Sequence, residues 1–450
     1  MGRLFGTDGV RGVANTELTN ELAMEIGRAA ATVLSDGIRG RSRFVVGMDT
    51  RISSKMLCCS VTAGLCSVGA DVIVLGEIPT PAVAFLVGKY KADAGVMISA
   101  SHNSAEFNGI KIFGGDGYKL PDALEEKIED MVLEHHGASA RPEAEGVGRV
   151  DLCDHAVKDY ADHLKSSVLY SLEGVKAVVD CANGSASVSA KKLFEDLGAE
   201  VTVINSSPDG VNINRDCGST HLEGLKKAVV EGGYDVGVAF DGDADRCLCV
   251  DEKGEAVDGD HIMAICALDM KERGRLAKNT VVGTVMTNLG FIKFCEANGI
   301  NFIATKVGDR FVLEEMLMEE YSFGGEQSGH LIFSDFATTG DGQLTAVQLL
   351  SLMRRTGKKL SELAGVMKSY PQKTVNVRVT ADGKISFYTE SEIKKAISAA
   401  KKELGANGRI VVRPSGTEPL IRVMVEGEGE EEISRIADGV AGVIKDRIGV

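Results

Sequence analysis

Short apolar runs alternate with amphipathic stretches of helical period over most of the 450-residue chain. The pattern predicts buried strands at residues 43–50, 70–77 and 94–101, with helices between them at residues 17–36 and 55–69. Strands and helices in regular alternation are typical of layered α/β folds, in which helices cover the faces of a sheet. We therefore expect an α/β fold with largely buried strands.

Changes in this pattern divide the chain into four predicted domains. The polar segment 136–150 interrupts the first run, and the alternation resumes at residues 176–240 and again at residues 280–308. After Tyr370 and Pro371 the order becomes strand, helix, two apposed strands and helix, which indicates a small α+β domain. The predicted domains are α/β domain I at residues 1–152, α/β domain II at 153–254, α/β domain III at 255–368 and α+β domain IV at 369–450.

The composition argues against several classes of function. A net charge of -15, the absence of tryptophan and an aromatic content of 5% argue against a nucleic-acid surface, which needs basic patches and stacking rings. No apolar run approaches the roughly 20 residues of a membrane helix, and residues 1–12 lack the apolar core of a signal peptide. The ten cysteines lack paired metal-site spacing, which favours free thiols in a reducing compartment. We expect a cytoplasmic protein without nucleic-acid or membrane partners, in which local arginines can still bind a small anion.

The sequence DGDADR at residues 241–246 is the first candidate site. Asp241, Asp243 and Asp245 alternate along the chain directly after a predicted strand, so an extended backbone points all three carboxylates to one side. Two such charges about 4 Å apart repel by roughly 4 kcal/mol at an effective dielectric constant of 20. A hard divalent cation, Mg²⁺ or Ca²⁺, removes this repulsion.

Two other interpretations of this motif are weaker. The spacing imitates an EF-hand loop, with Glu252 at its twelfth position, but Arg246 stands where that loop needs glycine and a strand-like segment follows. A polar hairpin turn is the other alternative, although a turn does not need three aligned acids. We therefore favour a cation site.

The loop ISASHNSAEFNGIK at residues 98–111 is the second candidate. Ser101 lies at the end of a predicted strand, where α/β sheets place ligands. A serine there can act as a nucleophile or as a covalent carrier of phosphate, and the alternative role is a cap for a following helix. Lys111 is a candidate phosphate partner or proton carrier, with a solvated surface lysine as the alternative.

The glycine-rich motif GGEQSGH at residues 324–330 can bind a polyhydroxy ligand. Glu326 and Ser328 can read its hydroxyl groups, and His330 can move protons near neutral pH. A simple glycine turn with a structural histidine explains this motif equally well.

Two further motifs contain arginine beside glycine. In RPSGTEP, residues 413–419, a guanidinium, two hydroxyls and glycine amides predict a phosphate site, with an ordinary hairpin turn as the alternative. In FGTDGVRG, residues 5–12, Arg11 lies in a glycine-rich turn that is uninformative by itself.

The order FGTDGVRG, ASHN, DGDADR, GEQSGH and RPSGTEP resembles the α-D-phosphohexomutase superfamily from end to end. FGTDGVRG and GEQSGH are most similar to the phosphoglucosamine mutase family within it. The resemblance implies three α/β domains with mixed sheets and a C-terminal α+β domain around a central active-site cleft. It also implies Mg²⁺-dependent interconversion of glucosamine 6-phosphate and glucosamine 1-phosphate, which supplies UDP-N-acetylglucosamine synthesis.

Two alternatives to this function stay open. One is a phosphomannomutase or phosphoglucomutase of the same superfamily, and the other, from a different class, is a non-catalytic sugar-phosphate sensor. A sensor would have no use for both the serine loop and the acidic triplet. The expected partners are a sugar phosphate and a hexose 1,6-bisphosphate, as activator or intermediate, whereas the sequence leaves the oligomeric state open.

Carried over by motif, the resemblance implies roles for individual residues. It makes Ser101 the phosphoserine, which holds Mg²⁺ together with Asp241, Asp243 and Asp245. The other implied residues are Arg11 and Arg246, which steady the transferring phosphoryl group; Lys111 and His330, the acid/base candidates; Glu326 and Ser328, which read sugar hydroxyls; and Arg413, Ser415, Gly416 and Thr417, which grip the non-reacting phosphate. The family loop commonly reads ASHNP, and here Ser104 replaces the proline, which removes no expected ligand.

Overall fold

The computed structural model describes residues 4–6, 8–38, 40–134, 141–415 and 418–450. It divides into two compact units. The first contains residues 1–282 and 308–365, and the second contains residues 283–307 and 366–450. Each unit is described by itself.

The first sheet of the first unit is mixed and has the strand order β1-β5-β4-β2-β3-β6. Strands β4, β2, β3 and β6 run parallel, whereas β5 is antiparallel to both β4 and β1. Its strands are β1 (Val10–Val13), β2 (Arg43–Met48), β3 (Asp71–Glu77), β4 (Ala94–Ile98), β5 (Phe107–Gly114) and β6 (Val150–Leu152), and its helices are α1 (Asn20–Leu34), α2 (Ile52–Cys66), α3 (Thr80–Lys89) and α4 (Asp122–Leu133).

Helices cover both faces of this sheet because its central strands are apolar on both sides. Phe44 and Val46 of β2 belong to the hydrophobic core formed with α1, α2 and α4. On the other face, Gly47 and Gly95 lie against Val83 of α3, where a Cβ atom would come within 2.6 Å and 3.1 Å of its side chain. The two faces alternate residue by residue, as strand geometry requires.

The second sheet of this unit is also mixed, in the order β11-β10-β9-β7-β8. Strands β9, β7 and β8 run parallel, and the β9–β10 hairpin is antiparallel. The elements are α5 (Ala156–Ser166), β7 (Lys176–Asp180), α6 (Ala190–Asp196), β8 (Glu200–Ile204), α7 (Glu223–Gly232), β9 (Val236–Phe240), β10 (Cys247–Asp251) and β11 (Ala256–Val257). The DGDADR loop therefore connects two buried strands.

The next elements belong partly to each unit. In chain order they are α8 (Gly259–Glu272), β12 (Thr280–Thr284), α9 (Leu289–Ala297), β13 (Asn301–Thr305), α10 (Asp309–Met318), β14 (Phe323–Gly325), β15 (Leu331–Phe333), α11 (Gly342–Thr356) and α12 (Leu360–Ala364). In the first unit β12 pairs in parallel with β14 at Val282 and Gly324, and β14 pairs antiparallel with β15. The GGEQSGH loop connects β14 to β15.

The second unit contains α9, β13 and an antiparallel sheet in the order β16-β18-β17. Its remaining elements are β16 (Gln372–Arg378), α13 (Ala381–Ser386), α14 (Ser391–Leu404), β17 (Arg409–Pro414), β18 (Leu420–Glu426) and α15 (Glu430–Ile448). Ile393, Ile421 and Ile436 are among the buried residues of its core. The buried Glu426 accepts the Leu289 N–H at 3.1 Å, which joins β18 to the start of α9.

The fold-class prediction is confirmed, because mixed sheets covered by helices precede a C-terminal antiparallel sheet with helices. Among the described residues, no helix combines the length and the apolar character that crossing a bilayer requires.

Candidate active site

Ser101 follows β4 on a tight loop that points its side chain at the acidic triplet. Its φ angle is 52°, a left-handed conformation that costs a residue with a side chain roughly 1–2 kcal/mol. The side chain is buried, and Oγ donates to Asp241 Oδ2 at 2.6 Å. The loop and the metal motif are thus in direct contact although 140 residues separate them in the chain.

The three carboxylates of the DGDADR loop converge, but on a turn and not on the extended backbone that their alternating spacing predicts, since the Ala244 N–H donates to the Asp241 carbonyl at 3.0 Å and Ala244 has a φ of 57°. Asp241, Asp243 and Asp245 are buried, and each offers an oxygen within 4.8 Å of the others. Among the described residues, Asp243 Oδ1 and Asp245 Oδ1 have no hydrogen-bond partner despite their burial. Buried oxygens without donors are costly, and a hard divalent cation is the ligand that such oxygens fit.

The charges around the triplet are strongly coupled. Burial and then the charges of Asp245 and Asp243 raise the pKa of Asp241 well above its usual range. Lys111 Nζ lies 2.9 Å from Asp243 Oδ2 and 3.5 Å from Asp245 Oδ2. Burial lowers the pKa of Lys111, but Asp243 and Asp245 outweigh that effect and raise it. One ammonium thus offsets part of the negative charge of three carboxylates.

His330 contacts the triplet from the end of the GGEQSGH loop. Its Nδ1 lies 3.6 Å from Asp245 Oδ2, and the Gly340 N–H donates to Nε2 at 3.0 Å. A nitrogen that accepts a hydrogen bond keeps its lone pair, so the ring is neutral with its proton on Nδ1. Burial lowers the pKa of His330, whereas Asp245 and Asp309 raise it to about 9, which would favour the charged ring. The hydrogen bond from the Gly340 N–H is the direct geometric observation, and we therefore take the neutral ring as the working form.

Arg11 and Arg246 flank the same site. Arg11 lies on β1 and donates to Asp8 at 2.7 Å, and Arg246 Nε lies 3.8 Å from Asp245 Oδ1. Burial and then the charges of Arg246 and Arg11 lower the pKa of His102, the neighbour of Ser101, to about 4. Both guanidinium groups therefore contribute positive potential beside the serine. Their Nε atoms are buried without a hydrogen-bond partner in the described part of the chain.

The GGEQSGH loop presents the polar groups that the sequence predicts. Glu326 Oε1 accepts the Gly308 N–H at 3.2 Å, and burial raises the pKa of this carboxyl. Ser328 Oγ is buried and has no hydrogen-bond partner among the described residues. The loop thus retains binding capacity for a polar ligand.

The RPSGTEP motif lies on the second unit, between β17 and β18. Arg413 is paired across the strands with Arg422, and like charges in such a pair repel. Ser415 Oγ accepts the Glu418 N–H at 3.2 Å, while Lys384 Nζ donates to the Ser415 carbonyl at 2.7 Å. Gly416 and Thr417, the other two predicted phosphate ligands, lie outside the described residues. Arg422 is ion-paired with Glu418, so Arg413 is the candidate group for binding an anion at this turn.

Four models of phosphoglucomutase/phosphomannomutase domains match consecutive parts of the chain. Domain I matches residues 2–137, domain II residues 158–254, domain III residues 258–370 and the C-terminal domain residues 375–443. The chain belongs to the phosphoglucomutase/phosphomannomutase family. The matches follow the order of the four predicted domains, whose boundaries stay a prediction.

Curated relatives of this family member are similar over the full length. A protein named phosphoglucosamine mutase from Caldanaerobacter subterraneus subsp. tengcongensis (strain DSM 15242 / JCM 11007 / NBRC 100824 / MB4) is 55% identical over 448 residues, which cover 100% of both chains. Another of the same name from Thermoanaerobacter sp. (strain X514) is 54% identical with the same coverage.

Solved structures of family members share the fold. A phosphoglucomutase/phosphomannomutase family protein from Burkholderia thailandensis has a TM-score of 0.82 at 22% identity and covers 98% of this chain and 97% of its own. N-acetylphosphoglucosamine mutase from Aspergillus fumigatus, solved with GlcNAc-6P and magnesium, has a TM-score of 0.71 at 17% identity and covers 98% of this chain and 95% of its own. A variant of that fungal enzyme, solved with glucose 1,6-bisphosphate, has a TM-score of 0.65 at 17% identity and covers 99% of this chain and 96% of its own.

Sequence reasoning missed two residues, Thr80 and Lys119, that contact the acidic triplet or the residues beside it. Thr80 Oγ1 donates to Asp243 Oδ2 at 2.7 Å from the first turn of α3. Lys119 Nζ lies 2.8 Å from a carboxylate oxygen of Asp8, which also pairs with Arg11, and 2.5 Å from one of Asp309. Asp309 in turn lies next to His330. No motif marks these positions, and only the pairing of distant segments reveals them.

Proposed function

We propose that this chain interconverts glucosamine 6-phosphate and glucosamine 1-phosphate through a phosphoserine at Ser101 and a bisphosphorylated sugar. The contact between Ser101 Oγ and Asp241, beside two carboxylate oxygens without donors, carries this proposal. The preference for glucosamine follows the names of the full-length relatives, and phosphomannomutase or phosphoglucomutase is the disfavoured alternative. The product would supply UDP-N-acetylglucosamine synthesis.

The metal of the proposed reaction is Mg²⁺. Asp241, Asp243 and Asp245 would hold it together with the phosphate carried by Ser101, because buried carboxylate oxygens without donors suit a hard cation. When bound, Mg²⁺ offsets charge on the phosphoryl group during transfer.

The proposed transfer exchanges one P–O bond for another. A sugar hydroxyl oxygen attacks the phosphorus on Ser101, and the bond between phosphorus and Ser101 Oγ breaks with its electron pair staying on the serine oxygen. The proton that the hydroxyl loses is balanced by the proton that Ser101 gains. The bisphosphorylated sugar then turns over and returns its other phosphoryl group to Ser101 by the reverse exchange.

We assign the proton transfer to Lys111: its ammonium, held charged by Asp243 and Asp245, donates the proton that Ser101 Oγ gains, and the amine left behind accepts the proton that the sugar hydroxyl loses. Both nitrogens of His330 are engaged, Nε2 by Gly340 and Nδ1 toward Asp245, so its role in the proposal is to orient Asp245. Lys111 Nζ lies among the carboxylates and retains a third N–H beyond its two ion pairs.

The remaining roles concern charge and recognition. Arg11 and Arg246 would steady the transferring phosphoryl group. This role is supported by the lowered pKa of His102, to which the positive charges of both arginines contribute. Glu326 and Ser328 would read sugar hydroxyls, since Ser328 Oγ has no hydrogen-bond partner in the described part of the chain.

Replacing Arg413 by alanine should lower kcat/KM by about ten- to a hundredfold, since a charge-assisted hydrogen bond contributes roughly 1.5–3 kcal/mol. We propose that Arg413, Ser415, Gly416 and Thr417 grip the phosphate that is not reacting. The KM for glucosamine 6-phosphate and the KM for glucosamine 1-phosphate should both rise, because either phosphate must occupy this site in turn. Initial rates at varied concentrations of each sugar phosphate measure the two KM values, and a rise in only one of them would contradict a shared phosphate site.

The substrate assignment is tested by comparing kcat/KM for glucosamine, glucose and mannose phosphates in one preparation at a fixed Mg²⁺ concentration. Glucosamine phosphate should have the highest value. Measurable activity on glucose phosphate is expected too, because amino and hydroxyl groups at the second carbon are similar in size. A higher value for glucose or mannose would transfer the assignment to the alternative substrates and leave the serine mechanism in place.

A further inference from the structure

The backbone of Ser101 is hydrogen-bonded at both of its polar groups. Its N–H donates to Ser99 Oγ at 2.9 Å, and Ser99 Oγ in turn donates to the buried Asp49 at 2.6 Å. Its carbonyl oxygen accepts two donors, Arg51 Nη2 and Asn214 Nδ2, each at 2.9 Å. A left-handed residue with a side chain persists only where its surroundings impose that conformation.

Arg51 holds the loop from the side of the first sheet. Its guanidinium is fully buried, and its Nε donates to Asp49 Oδ2 at 2.8 Å. The other nitrogens donate to the carbonyls of Ser101, Asn103 and Ser104. The planar fork of arginine supplies these fixed donors, and the single ammonium of lysine cannot.

Asn214 holds the same loop from the opposite side. Its amide donates to the Ser101 carbonyl at 2.9 Å and to the Asn103 carbonyl at 3.0 Å, and its own N–H donates to the Ala182 carbonyl at 2.9 Å. Two carbonyls therefore each receive one donor from Arg51 and one from Asn214. Gly242 of the metal loop closes the remaining space, since a Cβ there would lie 2.6 Å from the Ser101 carbonyl oxygen.

We propose that Arg51 and Asn214 are positioning residues that set the left-handed backbone of Ser101 and thereby direct Oγ at the acidic triplet. Neither side chain contacts the carboxylates of the triplet, so they act through the serine. This inference rests on the proposed function, because it assigns these residues a part in phosphoryl transfer at Ser101.

Asn214→Gly is the primary test. Glycine tolerates the φ of 57° at this position, so the variant removes the amide without adding backbone strain. We expect kcat to fall about ten- to a hundredfold with KM unchanged, since a misplacement of about 1 Å costs up to a hundredfold. The rate at which Ser101 gains phosphate from a hexose 1,6-bisphosphate should fall by the same factor, which intact-protein mass spectrometry measures.

Asn214→Asp is the isosteric second variant. Aspartate keeps the size and the backbone preference of asparagine, but it places a carboxylate oxygen, which accepts hydrogen bonds, against the carbonyls of Ser101 and Asn103. The kcat of Asn214→Asp should therefore lie below that of Asn214→Gly. The matched control is Asn205→Gly, at another left-handed asparagine (φ 48°) whose amide donates to Asp180 at 3.0 Å and not to the serine loop. Thermal melting of all variants separates lost positioning from lost folding.

The inference is overturned if both Asn214 variants keep the wild-type kcat and phosphorylation rate. It is also overturned if their kcat falls only in proportion to a lower melting temperature, as in the Asn205→Gly control. Ser101→Ala distinguishes this failure from failure of the proposed function. If Ser101→Ala is inactive and Asn214 variants are normal, only the positioning role is wrong; an active Ser101→Ala refutes the covalent mechanism itself.

Discussion

Replacing Ser101 by alanine is expected to lower kcat by at least about 10³-fold, because the variant has no oxygen to carry the phosphoryl group. In the wild type Oγ lies 2.6 Å from Asp241 in a buried position, and alanine removes that oxygen with little change in volume. A coupled assay measures the loss. Intact-protein mass spectrometry should show that the active wild type exceeds the variant by one phosphoryl group beyond the substitution itself.

Ser166→Ala is a suitable control for this experiment. Ser166 ends α5, and its exposed hydroxyl donates to the His163 carbonyl of the same helix. The control should keep both the activity and the phosphoryl mass of the wild type. Full activity in Ser101→Ala would contradict the covalent mechanism.

Asp241→Asn is expected to abolish Mg²⁺-dependent activity while stabilising the protein in chelator. The pKa of Asp241 is raised by burial and by Asp245 and Asp243, so the ionised carboxylate is disfavoured in the folded state. A neutral amide avoids the cost of ionising this buried carboxyl beside two other carboxylates. We expect kcat to fall more than about a hundredfold, and the melting temperature in chelator to rise above that of the wild type.

Melting curves with and without Mg²⁺ complete this test. Mg²⁺ should raise the melting temperature of the wild type, because a ligand that binds only the folded state stabilises it. This rise should be lost in Asp241→Asn and kept in Asp235→Asn, a control outside the site. Undiminished activity of Asp241→Asn in strong chelator would refute the metal assignment.

The sequence predicts elements best where local chemistry decides them. The pattern predicts helix α1 at residues 17–36, and it spans Asn20–Leu34, since the Thr19 side chain accepts the Leu22 N–H and caps its first turn. The expectation that Asp241 follows a strand is confirmed at the end of β9. In contrast, the sequence does not predict α13 (Ala381–Ser386), because this helix has only 6 residues and contains a glycine.

The site was predictable only as far as its motifs extend. The apolar pattern predicts one strand at residues 94–101, but β4 ends at Ile98 and the chain turns into the left-handed Ser101. Contacts from Arg51 and Asn214 impose that turn, and they come from positions 50 and 113 residues away in the chain. The Gly340 contact that engages His330 is likewise absent from its motif. Tertiary hydrogen bonds decided these features, and a single sequence does not display them.

Transfer of phosphate from Ser101 to sugar is the most direct measurement of the central claim. Protein phosphorylated at Ser101 is mixed with one equivalent of glucosamine 6-phosphate and Mg²⁺, and intact mass and phosphorus NMR are followed together. Our account predicts that Ser101 loses one phosphoryl group as a bisphosphorylated glucosamine forms, and that glucosamine 1-phosphate appears as the serine regains phosphate. Formation of glucosamine 1-phosphate at full rate while the original phosphoryl group stays on Ser101 would contradict it.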